Sequence, residues 1–169
     1  MDSPAKVFLS SILLFTSNCV LTAQDQPPSP FVVPGVCPGE GCQYGVWTAK
    51  KITTLYSAPN GTGILGSLRP GSKAVATTGE LYSWPVARIA TKAQPDFQSG
   101  DRFFLLWYEG EGYFKAWYHG KTVELDASSG NYPYPKQIWW AKIRTATGQI
   151  AWVRADQDNF TGQCSLARK

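Results

Sequence analysis

The chain has 169 residues, 43% hydrophobic and 17% charged, a globular balance that excludes a disordered or collagen-like polymer. Its net charge of +4 is modest and contains no basic block, which argues against nucleic acid as a partner and fits an anionic surface or polymer. Sixteen Gly and twelve Pro punctuate the chain, long helix-forming runs are missing, and 7 Trp, 8 Tyr and 8 Phe supply strand-compatible bulk, so the expected fold class is all-β.

The first 23 residues have the pattern of an export signal. Lys6 supplies a thin positive start, Val7–Phe15 is the apolar core, and Leu21-Thr22-Ala23 is the cleavage site before Gln24. The apolar run is shorter than the roughly 20 residues a spanning helix needs, so no stable membrane span is expected after cleavage, and the mature protein is expected to be secreted or periplasmic. A retained interfacial anchor and lipidation at Cys19 are the alternatives, although Thr16-Ser17-Asn18 suits a lipoprotein signal poorly.

Export permits disulfides. Cys37, Cys42 and Cys164 remain after cleavage and allow three single bridges. The tight C-P-G-E-G-C loop favours Cys37–Cys42, while a staple from Cys164 to either partner stays open. Neither a fourth cysteine nor a suitably spaced histidine completes a zinc site, and no cofactor or metal is expected.

Residues 24–42 form a Pro/Gly-rich tether that carries the cysteine loop. Short strands follow. Val46–Tyr56 is β-rich, Pro59-Asn60-Gly61 turns the chain, and Ile64–Leu68 is a brief strand. After a turn at Arg69-Pro70-Gly71 come strands at Lys73–Thr78 and Leu81–Thr91, with Pro85 confined to an edge or bulge because it donates no ladder hydrogen bond. Thr91–Asp101 is a loop. Arg102–Tyr108 is apolar on both parities from Phe103 onward, which predicts cover on both faces. Turns at Glu109–Gly112 and His119-Gly120 then divide Tyr113–Tyr118 and Lys121–Asp126 into a meander. Ala127–Pro135 is a polar loop, and Ala155–Lys169 a polar tail with Phe160 its one large apolar residue.

Ile138–Arg154 is a hairpin turning at Thr147, Gly148 and Gln149. Strand side chains alternate between faces, so Trp139, Ala141, Ile143, Ala151 and Val153 form a core face. Trp140, Lys142, Arg144, Ile150, Trp152 and Arg154 form the other, where two tryptophans stand among three cations.

T-L-Y-S-A-P-N-G-T-G-I-L-G-S-L-R-P-G-S-K-A-V (Thr54–Val75) resembles the first half of a bacterial SH3-like (SH3b-type) domain, with its tyrosine-bearing strand, Pro/Gly loop and Gly-x-Leu-x-x-Gly. The hairpin resembles that family's closing hairpin. Trp140 and Ile143 stand at its Trp and Val positions, Ala151 replaces a preferred Gly, and Trp152-Val153 complete the pattern. Val86–Lys92 (V-A-R-I-A-T-K) echoes Trp140–Ala146 (W-A-K-I-R-T-A), which suggests duplication. The resemblance therefore implies small SH3-like barrels in two packed modules, residues 43–93 and 94–162, before a tail at 163–169. One grossly expanded module is the alternative.

In SH3-like folds the leading Trp of the closing hairpin often lies in the ligand groove. The resemblance thus makes Trp140 and Trp152 groove candidates, with Lys142, Arg144 and Arg154 as charge partners through cation–π contact and charge-assisted hydrogen bonds. The competing expectation packs these tryptophans against the other module or a loop. Elsewhere, Glu109 and Glu111 lie on an exposed hairpin tip, which lacks the water-poor setting that tunes a catalytic carboxyl. His119 sits in a tight turn, and no nucleophile motif accompanies it or any cysteine. The chain is expected to be no enzyme but an exported binding module for cell-envelope material, either a peptidoglycan stem peptide or an extended peptide. The second expectation is an interaction module docking a periplasmic protein, as an inhibitor or assembly factor.

Overall fold

The computed structural model describes residues 25–37, 42–156 and 158–163. The export signal, Cys19, Cys164 and the last residues of the expected tail lie outside the described residues. Within them the protein is all-β, built as two curled sheets.

Among the described residues twelve strands follow in order: β1 (Phe31–Pro34), β2 (Gly45–Ala49), β3 (Thr53–Tyr56), β4 (Ile64–Leu68), β5 (Lys73–Trp84), β6 (Val86–Ile89), β7 (Arg102–Gly110), β8 (Tyr113–Tyr118), β9 (Lys121–Asp126), β10 (Lys136–Thr145), β11 (Ile150–Arg154) and β12 (Phe160–Thr161). The first sheet has the order β12-β2-β5-β10-β11-β3-β4, with β1 also on β5, and the second the order β6-β7-β8-β9.

β5 and β10 are the spine. They pair antiparallel from Lys136–Trp84 to Thr145–Ala74, with one slip where Thr77 stands as an extra residue. Such a bulge strengthens the local twist, and here the Thr77 hydroxyl donates back to the Lys142 carbonyl at 3.2 Å. On its other edge β5 changes partner midway. Its first half pairs with β2 and its second half with β1.

This pairing revises the expected division of the chain. A boundary between residues 93 and 94 falls between β6 and β7, which pair from Val86–Leu105 to Ile89–Arg102. The stretch Thr54–Val75 and the closing hairpin share the first sheet, and residues 85–135 are an excursion from it that forms the second. The tether and tail are revised too. Phe31–Pro34 is a strand on β5, and Phe160 pairs with Ala49 and is buried in the first core. Both segments bring large apolar side chains whose burial outweighs the Pro/Gly and polar composition around them.

The first core gathers Trp47, Leu55, Leu68, Ile143, Val153 and Phe160. Trp47 is fully buried, and its indole N–H donates to the Gln43 carbonyl at 2.9 Å, so the ring is packed without an orphan donor. The second core gathers Phe97, Phe103, Leu105, Phe114 and Leu125, closed by the 91–101 loop and by Tyr132 rather than by another sheet. Between the two, the Phe31 ring lies 6.0 Å from that of Trp107 and 5.9 Å from that of Trp117, and the buried Ser83 hydroxyl donates to the Leu106 carbonyl. A slip in the β7–β8 ladder takes Leu106 out of register and frees that carbonyl. The two-sided apolar pattern of β7 is explained by this: Phe103 and Leu105 serve the second core, Leu106 and Trp107 the seam.

Cys37 and Cys42 stand at disulfide distance, with Cα atoms 5.6 Å apart. Serine at both positions is expected to lower stability by about 2 kcal/mol, the loop entropy so short a bridge removes from the unfolded chain. Equal urea midpoints for the bridged wild type and the double-serine variant would contradict this.

Asp101 anchors the loop over the second core. It accepts from the Tyr118 hydroxyl at 2.5 Å and from the Gln98 N–H at 2.7 Å. The Tyr118 bond first, then the Gln98 bond, holds the Asp101 carboxyl below its ordinary pKa, and the same Asp101 bond raises the Tyr118 phenol. The Asp101 contribution is therefore present above its unfolded pKa of about 4 and lost as pH falls through the lower folded value. The Tyr118 contribution is present below about pH 10 and lost as pH rises through the raised value. Asp101→Asn is expected to flatten the acid limb of stability, measured as urea midpoints between about pH 2 and 5; an unchanged slope would contradict the assignment.

Candidate functional site

The site is built on the outer face of the first sheet, where register decides which side chains meet. β10 and β11 pair without a slip: Trp140 opposite Arg154, Lys142 opposite Trp152, and Arg144 opposite Ile150. Directly opposed residues in an antiparallel pair share a face, so the five expected site residues lie together. Ala141, Ile143, Ala151 and Val153 turn inward and are buried, while Trp139 is half-buried against that core.

The two tryptophans differ in setting. Trp140 is only 3% exposed. Its ring meets Tyr56 edge-on at 5.4 Å and 85°, and the 57–63 loop crosses it, with Gly61 so close that a Cβ there would sit 3.8 Å from Trp140 Cη2. That loop is closed by Ser57, whose N–H donates to Gly63 O at 2.8 Å and whose hydroxyl donates to Thr62 O at 3.2 Å. Trp140 is thus a floor beneath a loop. Trp152 is half-buried and pairs with Lys142 on one side and Tyr56 on the other. Neither tryptophan joins the two sheets; Phe31, Trp107 and Trp117 do that.

The surrounding charges are unequal. Arg154 is bridged to Asp156 at 3.3 Å. Lys142 and Arg144 make no ion pair among the described residues. Glu80, opposite Trp140 on β5, is held by the Tyr82 hydroxyl at 3.1 Å. Burial first, then the Glu80 bond, raises the Tyr82 phenol, which keeps it a donor to that carboxylate.

Apolar residues continue the face. Val46 on β2 lies opposite Val75 on β5, which lies opposite Arg144, and Val46 and Ile150 at the two ends of this row are 60% and 50% exposed. Tyr56 also lies opposite Ile64, which is 73% exposed. No local spacing reveals that β3 and β2 flank the β5–β10–β11 core, so Tyr56, Val46 and Val75 are not legible as site residues in the sequence alone. The alternation of Thr53 and Leu55 with Thr54 and Tyr56 was the available signal for the tyrosine.

Away from this face, Glu109 bridges Lys115 at 2.7 Å, and Lys115 also reaches Glu124 at 3.2 Å. His119 is exposed in its turn, 3.9 Å from Asp25. No group of three His, Cys, Asp or Glu fit to hold a metal occurs among the described residues, and no helix there is long and apolar enough to cross a membrane. Comparison with known proteins finds no matching family model, curated protein or solved structure.

Proposed function

We propose that the protein is an exported, non-catalytic binding module of SH3-like design, whose outer sheet face takes a carboxylate-bearing extended peptide of the cell envelope, the peptidoglycan stem peptide being the first candidate. The observation that carries this reading is the hairpin register: it sets Trp152 beside Lys142, with Arg144 and Arg154 on the same face and Tyr56 completing an aromatic floor. An aromatic floor flanked by cations suits a ligand with a carboxylate on an apolar stem. Export is supported by the apolar Val7–Phe15 segment and by the Cys37–Cys42 pair, which needs an oxidising compartment to persist.

Recovery on purified peptidoglycan sacculi tests the proposal. Wild-type protein is expected in the pellet and Trp152→Ala in the supernatant, with both folded. Equal wild-type recovery with and without sacculi would sink the stem-peptide version. A second reading, docking of an envelope protein, is favoured by the exposed Val46 and Ile150, which offer more apolar surface than a short stem peptide covers.

A further inference from the structure

Cations on the outer face of the first sheet occur in four successive rows. Arg154 stands in the Trp140 row, Lys142 in the Trp152 row, Arg144 in the Val75 row, and Lys73, opposite Thr48, in the row after that. Rows that present side chains to the same face are two residues apart, roughly 7 Å along a strand. The four charges therefore descend obliquely from β11 over β10 to β5 at nearly even steps, spanning roughly 20 Å. Lys142 and Arg144, in the middle, have no carboxylate partner among the described residues.

The charge of the chain is concentrated on this side. Residues 42–84 and 136–163, which form most of the first sheet, hold eight Lys and Arg against three Asp and Glu, a net of +5. Residues 85–135, the second sheet and its loops, hold five against six, a net of −1. Of the three acids on the first part, Glu80 is tied to Tyr82 and Asp156 to Arg154. The partner drawn to this face is anionic, and its charges must repeat.

We infer that the occupant is an extended acidic protein segment with Asp or Glu at alternate positions, lying along the Arg154–Lys142–Arg144–Lys73 ladder. In an extended chain, side chains at i, i+2, i+4 and i+6 point to one side with the same roughly 7 Å repeat, so four carboxylates of one seven-residue segment meet four cations. The intervening side chains point to solvent, and the acidic stems lie over Trp152 and Ile150. Lys73 thereby becomes a binding residue, although it lies outside the hairpin. The inference rests on the carboxylate-peptide reading above and names its partner.

The test uses two fluorescein-labelled nine-residue peptides of identical composition, one with four Glu at alternate positions separated by Thr and Val, the other with the four Glu contiguous. Fluorescence anisotropy with the full exported protein is expected to give about tenfold tighter binding of the alternating peptide, with Arg144→Glu and Lys73→Glu each weakening it about tenfold and Lys92→Glu, in the exposed loop after β6, leaving it unchanged. All three substituted side chains are exposed, and thermal melting checks that each variant folds. Equal affinity for the two peptides, or indifference to Arg144→Glu and Lys73→Glu, would overturn the ladder. If neither peptide binds but sacculi still retain the protein, the ladder fails while the carboxylate-peptide reading stands. If sacculi and peptides are both ignored, both fail.

Discussion

Alanine at Trp140 is expected to cost about 3–5 kcal/mol of stability, whereas alanine at Trp152 costs about 1 kcal/mol and abolishes ligand retention. The contrast follows from setting rather than residue type. Trp140 is 3% exposed beneath Tyr56 and the Gly61 loop, so its removal leaves a cavity that the rigid β5–β10 ladder cannot collapse to fill. The loss is a large part of the roughly 5–15 kcal/mol by which small domains are stable. Trp152 is half-buried, and water already reaches part of its surface. Urea midpoints for the two variants, read beside sacculus recovery, separate the roles. Comparable destabilisation at both positions would mean that Trp152 too is a packing residue and would remove the aromatic wall from the proposed site.

Gly79→Ala is expected to destabilise by about 2–3 kcal/mol, near the upper end for overpacking. A Cβ at Gly79 would lie 2.7 Å from the Trp140 carbonyl, 2.8 Å from the Val36 carbonyl and 2.8 Å from the Tyr44 hydroxyl. Two of those three neighbours are backbone, so the methyl can be accommodated only by parting strands. Gly79 sits where β5 gives up β2 and takes β1: its carbonyl accepts from Gly35 N–H at 2.8 Å, and the Tyr44 hydroxyl donates to Val36 at 2.6 Å across the same junction. Tyr44→Phe removes one of the clashing atoms together with that hydrogen bond. In a double-mutant cycle the two changes are therefore expected to be less harmful together than their sum. Strict additivity, or a Gly79→Ala protein as stable as wild type, would show that the junction is looser than its distances imply.

Local pattern carried the elements well and their partners poorly. The bounds of Ile64–Leu68, the meander from Arg102 to Asp126 and the inward parity of Ile143 and Val153 are all set by neighbours within a turn or hairpin, which period-two alternation reports directly. Gly79 misled in the opposite sense. It punctuates β5, so the strand read as two, Lys73–Thr78 and Leu81–Thr91, although the glycine is there to admit three oxygens rather than to turn the chain. The stretch Thr54–Val75 and the closing hairpin read as two modules because the strand segments that join them, Ala74–Trp84 and Lys136–Thr145, are separated by an entire sheet. At the site, parity placed Trp140 and Trp152 correctly on one face. It had no means of knowing that the 57–63 loop folds over one of them, because that contact spans some eighty positions.

The placement of the second sheet inside the first also favours one order of assembly. Pairing Trp84 with Lys136 closes a loop of about fifty residues, and closure entropy grows with the logarithm of the open length. The strands β6 to β9 are joined only to sequence neighbours, so they can form while the first sheet is still open. Once formed, they hold Val86 and Asp126 on the two edge strands of one sheet and shorten the effective loop to about ten residues, Pro85 and 127–135, which lowers the closure cost by about 1 kcal/mol. The outer face with its cations is thus expected to be completed late: the chain holds Lys73 apart from Arg144 until β5 and β10 have paired.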